Sequence, residues 1–187
     1  MATKDPTIVL IKCRLQAPHL YEPYTDKYGK TQYSAILRIA TADVKDIQAV
    51  EAGKEAACVR KFGADAPKKL KKINANPNCC LLREPDDDDS YKFMKVTRRP
   101  ADGMPRLLDR SKNVVPQSAG LFVSGAVCYA LVQFWAYDNQ STGVGATLLG
   151  LQWVEEGEAF GGAPVARDDD FEMLDDKGGE DAADGFF

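Results

Sequence analysis

The chain has 187 residues, 44% of them hydrophobic, with a formal net charge of −4, five cysteines and one histidine. That length fits one domain with an appendage, and that apolar share can build a core, which excludes a wholly disordered chain. No unbroken apolar run approaches about 18 residues and the polar stretch 1–6 does not read as a signal peptide, so a cytoplasmic protein without membrane contact is expected.

Residues 7–16, TIVLIKCRLQ, are β-branched and apolar, and their second half alternates Ile11, Cys13 and Leu15 with Lys12, Arg14 and Gln16, the pattern of a half-buried strand. Residues 17–30 contain Pro18, Pro23 and Gly29 and predict a loop, one that carries Tyr21, Tyr24 and Tyr28 beside Lys27 and Lys30. Residues 31–40, TQYSAILRIA, predict a second strand. Residues 41–62 predict a helix, with Thr41 or Asp43 able to cap its start, Gly63 able to end it, and Val44, Ile47, Val50, Ala57 and Phe62 along one stripe. Residues 64–85 read as irregular, including the basic run 68–72. Asp86 to Asp89 form an acidic loop, most simply a solvated turn.

Residues 91–99, YKFMKVTRR, predict a strand, the Asp102-Gly103 turn a hairpin, and residues 106–109 its return. Residues 121–137 read as a long strand, broken or bulged near Gly125. Its one face, Cys128, Ala130, Val132, Phe134 and Ala136, suits a barrel interior; the other, Tyr129, Leu131, Gln133, Trp135 and Tyr137, is rich in aromatics. Residues 138–143 turn into a last strand, 144–154. Several strands, mostly joined by hairpins around one helix, favour a mainly β fold: an OB-like five-stranded barrel with an added hairpin and one α-helix over residues 1–165.

Residues 166–187 are of another kind. From 167 to 187 there are nine acids and two bases, a net of −7, which leaves the remainder at +3. Glycines, acids and few aliphatics predict a flexible tail. Within it Asp168, Asp169, Asp170, Asp181 and Asp184 supply charge, and Phe186 and Phe187 suit a hydrophobic pocket with a basic rim on another protein. The same acids can compete with a polyanion for the body's own basic surface.

The chemistry points to binding rather than catalysis. His19 has no nucleophile at a recognisable spacing, and Gly143-Val144-Gly145 is too short for a phosphate loop. Cys13, Cys58, Cys79, Cys80 and Cys128 include no C-x-x-C pair and are odd in number, so neither a disulfide framework nor a zinc site is expected, and no cofactor. Residues 91–112, in contrast, interleave Tyr91 and Phe93 with Lys92, Lys95, Arg98, Arg99, Arg106, Arg110 and Lys112. Cations that follow phosphates and rings that stack on unpaired bases are what single-stranded nucleic acid requires. A basic strand is equally an edge strand protected from aggregation, and Trp135 and Tyr137 could instead pack under the helix.

Taken in order, several local signatures resemble the OB-type single-stranded DNA-binding proteins encoded by tailed phages. They are Arg14-Leu15, the 18–23 segment PHLYEP, Tyr33-Ser34-Ala35, the helix after Thr41, Tyr91 with Arg98-Arg99-Pro100, the 134–139 segment FWAYDN, Gly143-Val144 and Gly161-Gly162. The acidic, phenylalanine-bearing tail is similar to tails that recruit replication and repair enzymes in such proteins. The resemblance implies sequence-independent coating and protection of unpaired DNA during replication or recombination in an infected bacterium. Arg14, Tyr21, Lys30, Tyr33, Tyr91, Lys92, Phe93, Lys95, Arg98, Arg99, Arg106, Tyr129, Trp135 and Tyr137 are then the expected DNA contacts. Replication or recombination proteins are the expected partners of the tail, with self-association left open. The competing reading is a protein-interaction or virion β-barrel module without nucleic-acid binding.

Overall fold

A computed structural model describes residues 5–76, 81–85 and 88–160. The expectations for Cys79, Cys80, Asp86, Asp87 and the tail fall outside them. Six strands follow in chain order: β1 (Ile8–Thr25), β2 (Thr31–Ala40), β3 (Tyr91–Arg98), β4 (Arg106–Leu108), β5 (Val127–Asp138) and β6 (Thr142–Glu155). Hydrogen bonding runs β3-β2-β1-β5-β6, and a parallel pairing of Thr97 with Thr147 joins β3 to β6, so five strands close into a barrel. Closure removes the free edges an open sheet would expose.

Alternation fills the barrel. Ile11, Cys13 and Leu15 of β1, Ala35, Leu37 and Ile39 of β2, Met94 and Val96 of β3, and Cys128, Ala130, Val132 and Phe134 of β5 are all buried. The interior face read from the 121–137 segment holds from Cys128 to Phe134, with Ala136 only partly buried, and the strand begins only at Val127, after a turn in which Gly125 takes φ +97°. Cys13, Cys58 and Cys128 are free, buried thiols that serve as small hydrophobes.

Helix α1 (Val44–Phe62) packs on β1 and β5 and closes one end of the barrel. Gly53 lies against the ring of Phe134, where a Cβ would come within 2.7 Å of Cε2, so glycine is what allows the close approach. Asp43 precedes the helix but makes no side-chain cap bond, and the Thr41 hydroxyl donates instead to the Ser90 carbonyl at 3.0 Å. Val44, expected on the buried stripe, is exposed. Gly63 ends the helix with φ +54°, as expected.

Three departures from the sequence reading matter. Residues 17–25 belong to β1, which extends with β2 as a long arm rather than breaking into a loop. Residues 66–75 form a second helix, α2 (Ala66–Ala75), instead of irregular chain. The buried Lys54 ties the two helices, bonding the Glu51 carboxylate on its own helix and the Asn74 Oδ1 of α2 at 3.0 Å. Finally, β4 does not fold back on β3: it runs parallel to β6, Leu107 opposite Leu151. The Asp102-Gly103 turn exists, but it redirects the chain across the barrel.

Candidate nucleic-acid interface

The interface is built on the outer face of β2 and β3. Because Leu37 pairs with Met94 inside, their neighbours Arg38 and Phe93 pair outside, flanked by Ile36 opposite Lys95 and Ala40 opposite Tyr91. Beyond the Thr97–Thr147 contact β3 and β6 separate, and residue 83 bonds to Phe93 through both backbone groups in the gap. The result is a groove of about 340 Å³. Phe93, Lys95 and Thr97 form one wall, Trp135 and Tyr137 the other, with Ile36, Leu81, Arg83 and Val144 completing it.

Trp135 and Tyr137 reach this groove from β5, one strand away, because β6 offers them no side chains. Trp135 pairs with Gly145 and Tyr137 with Gly143. A Cβ on Gly145 would sit 2.5 Å from the indole, and one on Gly143 2.5 Å from the phenol Cζ, so each ring lies directly across a glycine. The two rings are 5.5 Å apart and inclined by 47°, and Trp135 keeps 48% of its surface exposed. Both rings line the groove, to which α1 contributes no residue. Two aromatic faces thus look outward across a groove whose far wall holds a ring and an ammonium group. Asp26, at the tip of the β1–β2 arm, has its carboxyl held below the ordinary value by the Lys30 and Tyr28 amides, and Lys95 adds its charge to the same effect.

A second cavity, of about 380 Å³, lies on the β1 side of the same two strands. Lys12, Arg14, Arg38 and Tyr91 line it together with Phe160. The Arg38 guanidinium is 3.5 Å from the centroid of Tyr91 and 3.9 Å from that of Phe160; Arg14 is 4.2 Å from Phe160.

Residues 6–183 match the family model described as the Enterobacter phage Enc34 single-stranded-DNA-binding protein. The chain belongs to this family. A curated relative, putative protein p50 of Acyrthosiphon pisum secondary endosymbiont phage 1, is 32% identical over 171 residues, spanning 89% of this chain and 93% of that one. Among solved structures, the bacteriophage Enc34 single-stranded DNA-binding protein in complex with ssDNA is similar with a TM-score of 0.67 at 16% identity, covering 83% of this chain and 90% of its own. Gp2.5, the single-stranded DNA-binding protein encoded by bacteriophage T7, is similar with a TM-score of 0.52 at 17% identity, covering 87% and 91%. These two likenesses carry the fold.

Within this Enc34-family barrel the expected contacts divide. Phe93, Lys95, Trp135 and Tyr137 meet in the groove, and Arg14 and Tyr91 meet in the second cavity. Lys30 is exposed at the arm tip, and Tyr129 is exposed on the outer face of β5, paired with Lys12 and Gln152, six residues and so about 20 Å from Trp135. Others are engaged within the fold. The Tyr21 hydroxyl donates to the Val115 and Pro116 carbonyls at 3.1 and 3.2 Å, and burial raises its pKa. Arg98 donates to the carbonyls of Gly103 at 2.7 Å and Asp102 at 2.5 Å, holding the turn. Arg99 pairs with Asp102 at 2.9 Å and Lys92 with Glu84 at 2.7 Å. Tyr33 is half-buried opposite Arg98, and Arg106 is exposed on β4 beside β6.

Sequence reasoning missed Arg38, Ile36, Gly143 and Gly145. Arg38 had a signal, since alternation in TQYSAILRIA puts it on the outer face. Gly143 entered only within a family signature and Gly145 only within a loop too short for phosphate, and neither reading supplies the register that sets them under Trp135 and Tyr137.

Proposed function

We propose that this protein binds single-stranded DNA without sequence preference and coats and protects it during phage replication or recombination. The observation that carries this reading is the groove: Trp135 and Tyr137, seated on Gly145 and Gly143, face Phe93 and Lys95. Every base has a π-face, so rings of this kind bind tolerantly, at about 1–3 kcal/mol per stacked base, while cations hold the backbone. The groove opens between splayed strands and fits a flexible single strand better than a stiff duplex. Membership in the Enc34 family and the solved relative in complex with ssDNA support the same reading. The activity is binding, without turnover.

The test is a titration of fluorescent oligo-dT and a matching duplex across a salt series. We expect preference for the single strand and affinity that falls as salt rises. Equal affinity for both forms would defeat the proposal. Assembly into multimers with no oligonucleotide binding would favour the structural-module reading.

The acidic segment 168–187 serves in this proposal as a recruitment site for replication or recombination proteins, with Phe186 and Phe187 as anchors. Deleting it is expected to raise oligo-dT affinity at low salt and to abolish association with a phage polymerase or nuclease. Unchanged affinity would remove the self-competition idea, and undiminished association would remove the recruitment role.

A further inference from the structure

We infer that the place between Arg14 and Arg38 at the edge of the second cavity, taken in the DNA-free chain by the Phe160 ring, is a second nucleobase subsite. This rests on the reading of the neighbouring groove as a single-stranded DNA site and extends it. The two cavities share one ladder: Arg38, in the wall of the second, is the register partner of Phe93, in the wall of the first. A strand leaving the Trp135–Tyr137 groove across β3 and β2 meets Arg38 next.

The cavity is built to hold a flat ring. Tyr91, Arg38, Phe160 and Arg14 are stacked in sequence, each guanidinium within 4.2 Å of a ring centroid. A guanidinium plane stacks on a nucleobase as it does on a phenyl ring. Charge also favours a base over a phosphate cluster, because Lys12, Arg14 and Arg38 are matched around the cavity by Asp43, Asp88 and Glu155. One polar atom is left over. Among the described residues Arg38 Nε is buried with no hydrogen-bond partner, and the Phe160 ring, stacked on the guanidinium face, has no acceptor to give it.

Phe160 is placed to leave. Its segment is fixed two to three residues earlier, where Arg14 donates to the Glu158 carbonyl and the backbone of Gly157 and Glu158 lies on Gly125 too closely for any Cβ. The ring can therefore swing out while that anchor stays. A site occupied by its own ring binds an external ring with an affinity reduced by the fraction of time it stands open.

Oligo-dT titrations with the full chain test this. Phe160→Ala should raise affinity by about fivefold or more, the gain expected from removing a competitor held by two cation–π contacts. Phe160→Tyr, which keeps the ring, should match wild type, and Arg38→Ala should cancel the gain in the double variant. Should Phe160→Ala fail to fold, Phe160→Leu keeps bulk without a planar face and should move affinity in the same direction. If affinity is unchanged or lower in the folded variants, Phe160 is a structural staple and the inference fails. The inference also fails if the gain survives Arg38→Ala, because the competition then lies elsewhere. Trp135→Ala separates the two readings. If wild type binds oligo-dT and Trp135→Ala weakens it while Phe160→Ala changes nothing, only the subsite is lost. If wild type does not bind, the groove reading falls and takes the subsite with it.

Discussion

Strand β5 has two faces made of the same backbone and alternate residues, and they do different work. Inward, Cys128, Ala130, Val132 and Phe134 are buried and fill a closed barrel. Outward, Trp135 and Tyr137 lie across glycines, Trp135 with about half of its surface in solvent and Tyr137 only partly buried. Burying apolar surface stabilises the fold, whereas holding apolar rings half in water stores that gain for a ligand that will cover them. Adjacent residues 134 and 135 should therefore separate stability from binding.

The largest effect is expected at Phe134. Phe134→Ala removes a ring wedged between the barrel and Gly53 and should lower unfolding free energy by about 3–5 kcal/mol, read from urea denaturation. Oligo-dT affinity, corrected for the folded fraction, should stay near wild type. Second, the inner face should be sensitive to alkali. Burial pushes the Cys128 thiol from its ordinary 9.0 up to about 12, and burial also raises that of Cys13 opposite it. A thiol whose folded pKa is raised contributes its full share below the unfolded value and loses it as pH climbs through the interval toward the folded one. Stability should fall between pH 9 and 12, less steeply in Cys128→Ala, and thiol reagents should label Cys128 only on unfolding. Third, Trp135→Ala should weaken oligo-dT binding by about 1–3 kcal/mol with little change in thermal midpoint. A variant that unfolds instead would return Trp135 to the core and erase the contrast.

That contrast was legible in the sequence because strand alternation has a period of two and needs no tertiary information. The same is true of the helix stop at Gly63. What failed were pairings and exceptions. Pro18 and Pro23 read as loop punctuation, yet both fall where the β1–β2 register shifts, between Gln16 and His19 and between His19 and Tyr24, where a missing N–H breaks no ladder bond. Residues 64–85 read as irregular, yet 66–75 are helical, and Pro67 stands in the first turn of α2, the one place a helix tolerates it. Arg98 and Arg99 looked equivalent to Lys95 as cations. Their difference is set by the turn that follows them, whose carbonyls and Asp102 engage both, while Lys95 stays in the groove wall. Return of residues 106–108 to β6 instead of β3 is a long-range choice with no local signature.

The smallest effect is also the sharpest test, because its two readouts should move in opposite directions. Gly145 has an ordinary strand backbone, so alanine there carries no strain of its own and restricts the unfolded chain, a change worth up to about 1 kcal/mol in favour of folding. Its methyl group would nevertheless meet the Trp135 indole at 2.5 Å, closer than any real contact, and the half-exposed ring is the partner able to give way. Gly145→Ala should thus tilt the indole out of the groove and weaken oligo-dT binding by less than Trp135→Ala does, with stability held or raised. If binding is unaffected, the ring does not need its glycine seat, and the groove's shape follows from β5 alone. If instead stability falls by more than binding does, the methyl group has strained the barrel wall, and Trp135 is held more like a core residue than an outward-facing one.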